Sequence, residues 1–402
     1  MKILMLASKI PYPPKDGGTI CTLSMAFSLQ KNGHAVSILA INTQKHFFNI
    51  SDIPKEFSEY IKFMSVEVNT NIKFSKLLKN FFFSKLPYNA ERFISKDYSD
   101  KLTEILIQED FDIIQLEGSY LLPYIDVIRK ISKAKIAFRA HNVEFEIWER
   151  KSKNEKNYFK KLYLHNLYKR IKKFEINYIN KYDLISPVTN RDGNKFNELG
   201  NTKPQYVAQI GVVLERYIIP DNEPEYPGFF TIGSLDWLPN QEGLIWFIDN
   251  VWLKFIKKYP KAKFYIAGRN APNELLKYFL NNNIEYLGEI KNANDFISSK
   301  SIMIVPLFSG SGMRVKIIEG MALGKTIIST SIGKEGIEAT HNENILIVDS
   351  PEDFFNCLEK VYLDKSISEI ISKNAIEFIH QNYDSHLIGE KLSKFYLKQL
   401  QS

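Results

Sequence analysis

The chain has 402 residues, of which 44% are hydrophobic and 25% charged, as in an ordinary soluble protein large enough for two domains. Its longest apolar runs, such as residues 302–308, are far shorter than the roughly 18 apolar residues that a transmembrane helix requires. Cys21 and Cys357 are too distant in sequence to suggest a metal site or a disulfide framework, which is typical of a reducing cytoplasm.

Positive charge is concentrated in the first half of the chain. Residues 1–200 carry 32 Lys and Arg against 22 Asp and Glu, a net charge of +10, whereas the remainder carries −3. An anionic membrane surface, an anionic substrate or nucleic acid are the partners that such charge favours. Lysine-rich helix faces in contact with water are the simpler interpretation.

Strand and helix patterns alternate through the first half. The start, KILMLAS, resembles a signal peptide, but its apolar run is too short for one. It is predicted to be a buried strand. A loop, KIPYPPKDGG, precedes a predicted helix that ends near Gly33. Further strands are predicted at HAVSILAI, DIIQLE, IAFRAHN and DLISPVT. This alternation predicts a parallel, doubly wound α/β sheet.

The same pattern restarts after residue 228. Strands are predicted at FFTIGSLD, KFYIAGR, IEYLG, IMIVPLF, TIISTS and ILIVDS, with helices between them. The Pro-rich and acidic segment 220–228 is interpreted as a linker. We therefore predict an N-terminal Rossmann-like domain at 1–219, a second at 228–384, and a C-terminal helix at 385–402 that returns to the first domain. Ligands of such sheets bind beyond the carboxyl ends of the strands.

The stretch SGSGMRVKIIEGMALGK, residues 309–325, combines glycines with a predicted helix. It lacks the third glycine of the G-x-G-x-x-G pattern, because Val315 stands there. The later GMALGKT has three residues between its glycines, where a Walker A loop has four, and it precedes a strand instead of following one. Binding of NAD or ATP through these motifs is therefore disfavoured.

A glycine-rich loop that leads into a helix is still suited to an anion. The helix N-terminus offers unpaired N–H groups, and glycines permit close approach of the backbone. Arg314 and Lys316 add positive charge. A glycine-rich turn followed by an ordinary amphipathic helix is the alternative interpretation.

This stretch resembles the donor-site segment of GT-B glycosyltransferases of family 4 (group 1), in the branch with a GSG-x-R-x-K loop. GSLDWLPNQEGLIWFIDNVW, KYPKAKFYIAGR, IEYLGEI and ILIVDSPEDF keep the order and spacing of that family. PPKDGGTICTLSMAFSLQKNGHAV resembles its Gly-Gly loop and first helix. The resemblance covers nearly all of the C-terminal half and is patchy before it. It implies two Rossmann-like domains facing each other across a cleft.

The resemblance implies a nucleotide-diphosphate sugar as donor. Arg314 and Lys316 would neutralise the diphosphate, assisted by the Ser311 and Gly312 backbone. Glu319 matches the last carboxylate of the family's E-x7-E motif and would bind the ribose hydroxyls. A carboxylate can accept hydrogen bonds from two neighbouring hydroxyl groups at once. The first Glu of that motif is replaced here by Ser311. This departure leaves the identity of the sugar open.

Other loops complete the implied site. Gly233 and Ser234 would face the phosphates, and Arg269 either faces the nucleotide or is a surface arginine. In the first domain, Gly17 and Gly18 would permit close approach of the donor or the acceptor, with a tight turn as the alternative.

His141 matches the family's cleft histidine and is assigned to catalysis together with Arg314 and Lys316. Glu117 is a weaker candidate, interpreted first as structural. Asp110 and Asp112 form a D-x-D pattern, but they lie before a strand, at the wrong end for a ligand. We therefore predict no metal and no cofactor.

Two basic stretches, 71–87 and 151–175, mix lysines with aromatic residues. They suit either an anionic membrane surface or ordinary packed helices with lysines in water. No RNA-binding signature accompanies them, so nucleic acid is not predicted.

The expected function is a glycosyltransferase that acts on a glycan or lipid-linked acceptor in surface polysaccharide synthesis, with retention. It is expected to be cytoplasmic, either unattached or peripheral on the inner face of the cell membrane. A nucleotide-sugar epimerase and a non-catalytic nucleotide-sugar-binding protein are the alternatives.

Overall fold

The computed structural model describes residues 1–71, 77, 79–80, 83–84, 86–280, 282–310 and 312–401. The chain divides into two compact units. The N-terminal unit comprises Met1–Gly211 and Ser385–Ser402, and the C-terminal unit comprises Val212–Asp384. The division thus falls before the predicted linker at 220–228, part of which already belongs to a strand that begins at Glu225.

A parallel sheet forms the centre of the N-terminal unit. Its strand order is β3-β2-β1-β4-β5-β6, and all neighbouring strands are parallel. Sequence analysis did not identify β3, a half-exposed strand at the sheet edge. The strands are β1 (Lys2–Ala7), β2 (Ala35–Thr43), β3 (Ile61–Val68), β4 (Ile113–Glu117), β5 (Lys135–Ala140) and β6 (Leu184–Pro187).

Helices connect these strands, and short 3₁₀ turns lie at Gln44–His46, Ile50–Asp52 and Ser119–Tyr124. The described helices of this unit are α1 (Gly17–Lys31), α2 (Lys55–Ser58), α3 (Tyr88–Glu91), α4 (Lys96–Gln108), α5 (Ile125–Ile131), α6 (Glu144–Asn154), α7 (Tyr158–Tyr178) and α8 (Asn190–Glu198).

The C-terminal unit repeats the arrangement. Its strand order is β12-β11-β10-β7-β8-β9, again with parallel neighbours. The two sheets therefore have the same topology, in which the first and fourth strands of each unit are neighbours and the order reverses between them. The strands are β7 (Glu225–Ile232), β8 (Lys263–Ala267), β9 (Ile284–Gly288), β10 (Lys300–Val305), β11 (Thr326–Ser329) and β12 (Leu346–Ile347).

The helices of this unit follow a 3₁₀ turn at Leu214–Arg216, and a π turn at Ile248–Trp252 joins the first two. They are α9 (Leu238–Phe247), α10 (Leu253–Lys258), α11 (Asn273–Phe279), α12 (Ala293–Ser298), α13 (Val315–Ala322), α14 (Pro351–Leu363) and α15 (Lys365–Asn382). The prediction of two doubly wound parallel sheets is confirmed.

The last helix, α16 (Ser385–Leu400), packs in the N-terminal unit. Ser28 donates a hydrogen bond to the Ser385 carbonyl, and the His34 ring lies 2.5 Å from Ser393 Oγ. Tyr396 is fully buried and reaches strand β4. A helix distant in sequence is thus part of the core of the first unit.

Helix starts follow local chemistry. Asp16 caps α1 by accepting from the Thr19 backbone N–H, while Thr19 Oγ1 accepts from the Asp16 backbone N–H, which forms a capping box. Ser350 caps α14 with Pro351 in the first turn. Helix α13 begins only at Val315, so Arg314 is its N-cap residue and not part of the helix as the sequence pattern suggested.

Candidate functional site

The candidate residues lie at the strand ends where each sheet reverses its order. In the N-terminal unit the reversal lies between β1 and β4, and Gly17, Gly18 and Glu117 follow or end these strands. In the C-terminal unit it lies between β7 and β10, which are followed by Gly233 and by the 309–314 loop. Such switch points open a crevice for ligands in doubly wound sheets.

Lys316 extends from α13 toward the loop after β7. Its Nζ donates to Asn240 Oδ1 at 3.2 Å, and Asn240 Nδ2 donates to the Ser234 carbonyl at 2.8 Å. A Cβ on Gly233 would lie 3.5 Å from Lys316 Nζ. Burial, with a further contribution from Arg314, lowers the pKa of Lys316 to about 7. An amine that is only partly protonated at neutral pH therefore lies directly against the glycine turn, and a bound anion would favour its charged form.

Arg314 is almost fully buried beside Lys316. Its Nη1 donates to the Gly312 carbonyl at 2.5 Å, and its guanidinium lies 5.3 Å from the centre of the Trp237 ring. These contacts hold the loop after β10 against the segment after β7. Ser311 lies outside the described residues, so its predicted role stays a prediction.

Arg269 follows β8 and is linked to the same turn. Its Nε donates to Ser234 Oγ at 3.4 Å, and Ser234 Oγ donates to Asp236 at 2.5 Å. The structure thus brings Arg269 and Ser234 together, although the Ser234 hydroxyl proton is used by Asp236.

Glu319 lies one turn beyond Lys316 on α13 and is half-buried. Its Oε1 accepts a 2.9 Å hydrogen bond from the Tyr217 hydroxyl. Burial raises the pKa of Glu319 above its usual range, opposed by this hydrogen bond. The carboxylate is therefore oriented by a tyrosine that sequence reasoning did not identify.

In the N-terminal unit, the loop before α1 is held by Asp16, which accepts a 2.5 Å hydrogen bond from Lys9. A Cβ on Gly18 would lie 3.4 Å from the Asp16 carboxylate and 4.0 Å from His141 Nδ1. The predicted residues Gly18 and His141 are thus neighbours, because β1 and β5 deliver them to the same edge of the sheet.

His141 is bonded to the carboxylate that sequence analysis ranked as structural. Its Nε2 lies 2.6 Å from Glu117 Oε2, and the Glu117 side chain is 1% exposed. Burial lowers the pKa of His141, but the interactions of the ring with Cys21 and Glu117 outweigh burial and raise that pKa to about 10. His141 is therefore an imidazolium at neutral pH and a hydrogen-bond donor.

One group of side chains among the described residues has the ligand types of a metal site: Cys21, Glu117 and His141, whose ligand atoms lie within 4.8 Å of one another. The buried Arg139 guanidinium already lies 3.2 Å from Cys21 Sγ and 3.8 Å from Glu117. A second cation there would be repelled by Arg139. This group therefore fits an internal ion-pair cluster better than a metal.

The segment after His141 is fixed by a second buried carboxyl group. Glu175 accepts from the backbone N–H groups of Glu144 and Phe145 at 3.2 and 2.9 Å, and from Ser119 at 2.9 Å. Burial, with Glu144 nearby, raises the pKa of Glu175 to about 8. Glu175 thus caps α6 and holds the loop that carries His141.

The D-x-D pattern lies at the amino end of β4, where Asp112 accepts from the Lys2 backbone N–H at 2.7 Å. Of the basic stretches, 71–87 lies partly outside the described residues. The stretch 151–175 covers the end of α6 and most of α7, which buries Leu164, Leu167, Ile171 and Phe174. The first turns of α7 instead carry exposed apolar side chains, with exposed fractions of 68% for Tyr158, 81% for Phe159 and 51% for Leu162. No described helix is long and apolar enough to cross a bilayer.

Sequence reasoning missed the residues that hold the candidates in position. They are Tyr217, Trp237, Asn240 and Glu175, whereas Glu117 was identified and interpreted first as structural. Asn240 and Trp237 lie within GSLDWLPN, so their position after a strand was a usable signal. The pairing of Tyr217 with Glu319 spans 102 residues and has no local signal.

Comparisons with known proteins agree with this geometry. Residues 226–364 match the family model described as "Glycosyl transferases group 1". An uncharacterized 44.6 kDa protein in the cps region of Klebsiella pneumoniae is 25% identical over 414 residues, covering 98% of this chain and 99% of that protein.

Two solved structures share the fold along the whole chain. Anabaena HepE in complex with UDP has a TM-score of 0.72 at 12% identity, over 99% of this chain and 100% of that one. A mutant of S. aureus TarM, in complex with fondaparinux, α-GlcNAc-glycerol and UDP, has a TM-score of 0.70 at 12% identity over 100% of both chains. Residues 226–364 of the C-terminal unit are therefore similar to the group 1 glycosyl transferases, and the whole chain shares the fold of these two solved structures.

Proposed function

We propose that this protein transfers a sugar from a nucleotide-diphosphate sugar to a glycan or lipid-linked acceptor, with retention at the sugar. The observation that carries the proposal is the position of Lys316 and Arg314. Both side chains lie at the switch point of the C-terminal sheet: Lys316 lies against the Gly233 turn, and Arg314 lies over the Trp237 ring. They lie within the segment that matches the group 1 family.

The donor is bound mainly by the C-terminal unit. Lys316, Arg314 and the Gly312 backbone neutralise the diphosphate, and Gly233 permits its close approach. Glu319 accepts the ribose hydroxyls while Tyr217 orients it. Ser234 and Arg269 extend the polar edge toward the nucleotide.

Transfer passes through an oxocarbenium-like state in which negative charge accumulates on the leaving diphosphate. Arg314 and Lys316 stabilise that charge, and this electrostatic contribution supplies most of the rate acceleration. His141 contributes as a hydrogen-bond donor near the sugar. It does not serve as a general base, since Glu117 accepts its Nε2–H and its pKa is raised to about 10. Retention, in which the acceptor attacks from the leaving-group face, requires no such base.

Surface polysaccharide synthesis is the proposed setting. The Klebsiella relative lies in a cps region, and HepE and TarM were crystallised with UDP. Serine in place of the first carboxylate of the family motif, at Ser311, is expected to influence which sugar is accepted. The reaction is proposed to need no metal, since protein cations neutralise the phosphates.

The start of α7 is proposed to rest on an anionic membrane surface. Phe159 and Leu162 are exposed apolar side chains beside Lys156, Lys160 and Lys161. Such a combination inserts rings at the interface and attracts anionic lipid head groups. A membrane position gives access to a lipid-linked acceptor.

Donor binding is tested first. Purified protein is heated with UDP-, GDP- and dTDP-sugars, and one nucleotide class should raise the midpoint of thermal unfolding. Protein that responds to none of them contradicts the donor proposal. Product analysis with donor alone then identifies an epimerase, whereas binding without turnover on any acceptor extract identifies a non-catalytic binding protein.

Membrane binding is tested by flotation with vesicles that contain anionic lipid. Lys156→Glu combined with Lys161→Glu should reduce vesicle binding and leave nucleotide affinity unchanged. Lys254→Glu combined with Lys257→Glu, on exposed positions of α10, is the matched control. Equal binding by both double variants, or none by the parent protein, would contradict the membrane proposal.

A further inference from the structure

A chain of buried polar side chains connects the C-terminal helix to His141. The Tyr396 hydroxyl donates to Gln115 Oε1 at 2.7 Å, and Gln115 Nε2 donates to Glu117 Oε1. Glu117 Oε2 lies 2.6 Å from His141 Nε2. Tyr396 and Gln115 are 0% exposed, and Glu117 is 3% exposed. The whole chain lies inside the N-terminal unit.

The direction of each hydrogen bond in this chain is determined by its neighbours. An ionised carboxylate only accepts, so Gln115 must present its NH₂ group to Glu117 and its carbonyl oxygen to Tyr396. For the same reason His141 must carry a proton on Nε2. The other ring nitrogen, Nδ1, lies 4.0 Å from the place that a Cβ on Gly18 would take. Cys21 is a further hydrogen-bond partner of the ring.

Both oxygens of Glu117 already have partners. Its Oε2 also accepts from Thr22 Oγ1 at 3.2 Å and lies 3.8 Å from Arg139 Nε. Removing one partner from such a buried charged network leaves the others unpaired and is costly. Four side chains thus contact the carboxylate, namely Gln115, His141, Thr22 and Arg139. The orientation of the His141 ring depends on the position of this carboxylate.

The groups that face His141 come from several elements. They are Cys21 on α1, Glu117 on β4, Arg139 on β5 and Glu144 on α6. Asp16 and Lys9 lie close to the neighbouring glycine loop. Cys21 and Glu117 are the close partners of the ring, and of these two Glu117 is joined to α16 by hydrogen bonds through Gln115.

We infer that Tyr396, Gln115 and Glu117 are positioning residues that keep Nε2 of His141 protonated and fix the orientation of its ring, which makes the C-terminal helix a functional part of the site. The expected effect on sugar transfer rests on the proposed function, whereas the expected effect on the His141 ring does not. The Nε2–H donates to Glu117, so Nδ1 is the ring nitrogen of His141 that lies near Gly18. Loss of the Tyr396 hydroxyl releases Gln115, and the effect reaches His141 through Glu117.

The test compares Tyr396→Phe and Glu117→Gln with the parent protein. Tyr396→Phe keeps the ring in its core position and removes only the hydroxyl group. We expect kcat for sugar transfer to fall about three- to tenfold, with little change in KM for the donor, as for a lost interaction of about 1 kcal/mol. Nuclear magnetic resonance of the imidazole signals, with His141→Asn to assign the His141 peak, gives its pKa directly. That pKa should fall by about one unit or more in Glu117→Gln and by less in Tyr396→Phe.

Ser393→Ala is the matched control. Ser393 lies on the same helix, is buried, and contacts His34 instead of Gln115. If Tyr396→Phe alters kcat and the His141 pKa no more than Ser393→Ala does, the inference is wrong, even if Glu117→Gln fails to fold. A shifted His141 pKa in a protein that transfers no sugar contradicts the proposed function and leaves the chain of hydrogen bonds supported. Normal transfer with an unmoved pKa contradicts the inference alone.

Discussion

The hydroxyl of Tyr217 lies 2.9 Å from Glu319 Oε1, so the carboxylate proposed to bind ribose already has one partner. Tyr217 follows a 3₁₀ turn at the start of the C-terminal unit, whereas Glu319 lies on α13. Each carboxylate oxygen can accept more than one hydrogen bond, so Oε2 and the second lone pair of Oε1 are available for two hydroxyl groups. Tyr217 thereby orients the carboxylate without using it up.

Replacing Glu319 by alanine should weaken nucleotide binding about tenfold or more, because two hydrogen bonds to a charged acceptor are lost. Isothermal titration calorimetry with the preferred nucleotide measures the change. Glu274→Ala, an exposed carboxylate in the first turn of α11, is the control and should leave affinity unchanged. Unchanged affinity of the Glu319→Ala protein would remove the ribose role.

Donor affinity should depend on pH through Lys316. Burial lowers the pKa of Lys316 to about 7, and a bound diphosphate favours its charged form. Binding therefore takes up a proton above pH 7, and affinity should fall by up to about tenfold per pH unit between pH 7.5 and 9.5. Calorimetry in two buffers of different ionisation enthalpy measures that uptake.

Lys316→Met serves as the comparison for this pH effect. It should bind the nucleotide more weakly at pH 7.5 and lose the additional proton uptake, because no titrating group remains at that position. The phosphates themselves are fully ionised over this range. A parent protein with the same affinity at pH 7.5 and 9.5 would contradict the predicted role of Lys316.

Gly18 should tolerate alanine structurally but not functionally. A Cβ there meets nothing closer than 3.4 Å, so we expect the free energy of unfolding to change by less than about 0.5 kcal/mol. If a substrate approaches the backbone at this point, kcat/KM should fall severalfold. Urea unfolding and transfer kinetics measure the two effects, and an unaffected kcat/KM would favour the tight-turn interpretation.

Gly268 gives the opposite pattern. A Cβ there would overlap the Gly233 carbonyl oxygen, because the ends of β7 and β8 approach closely. Gly268→Ala should therefore lower the free energy of unfolding by about 1–3 kcal/mol and also weaken donor binding through the displaced Gly233 turn. Urea unfolding measures the first effect, and full stability of this variant would be inconsistent with the described packing.

Glu175 should make stability depend on pH in an unusual direction. Its pKa is raised to about 8 in the folded protein and is near 4.5 when unfolded, so the folded state binds more protons between these values. The contribution of Glu175 to the free energy of unfolding is thus greatest at low pH. It decreases as pH rises through this window, at up to about 1.4 kcal/mol per unit.

Glu175→Gln removes that titration. The difference in unfolding free energy between variant and parent protein, measured by urea unfolding from pH 5 to 9, should change with pH in favour of the variant at high pH. A difference that is constant over the range would show that Glu175 is ionised throughout.

Much of the fold could be predicted from local pattern. Short apolar runs alternating with helical segments predict the strands from β1 to β12, except β3, and the doubly wound class follows from that alternation. The edge strand β3 was missed because only one of its faces is partly covered, which weakens its apolar signal. Pattern also placed β7 too late, since Tyr226 and Pro227 resemble linker residues yet lie inside the strand.

The sequence by itself determined which residues are candidates for the site after β7 and β10, because matching order and spacing identify the corresponding positions. They are Gly233, Arg314, Lys316 and Glu319. Only the tertiary structure decided the surroundings and the protonation of such groups. The lowered pKa of Lys316 needs burial beside Arg314, and the charged His141 needs Glu117 from another strand. Burial and charge pairing depend on contacts between segments that are distant in sequence, and no local pattern reports them.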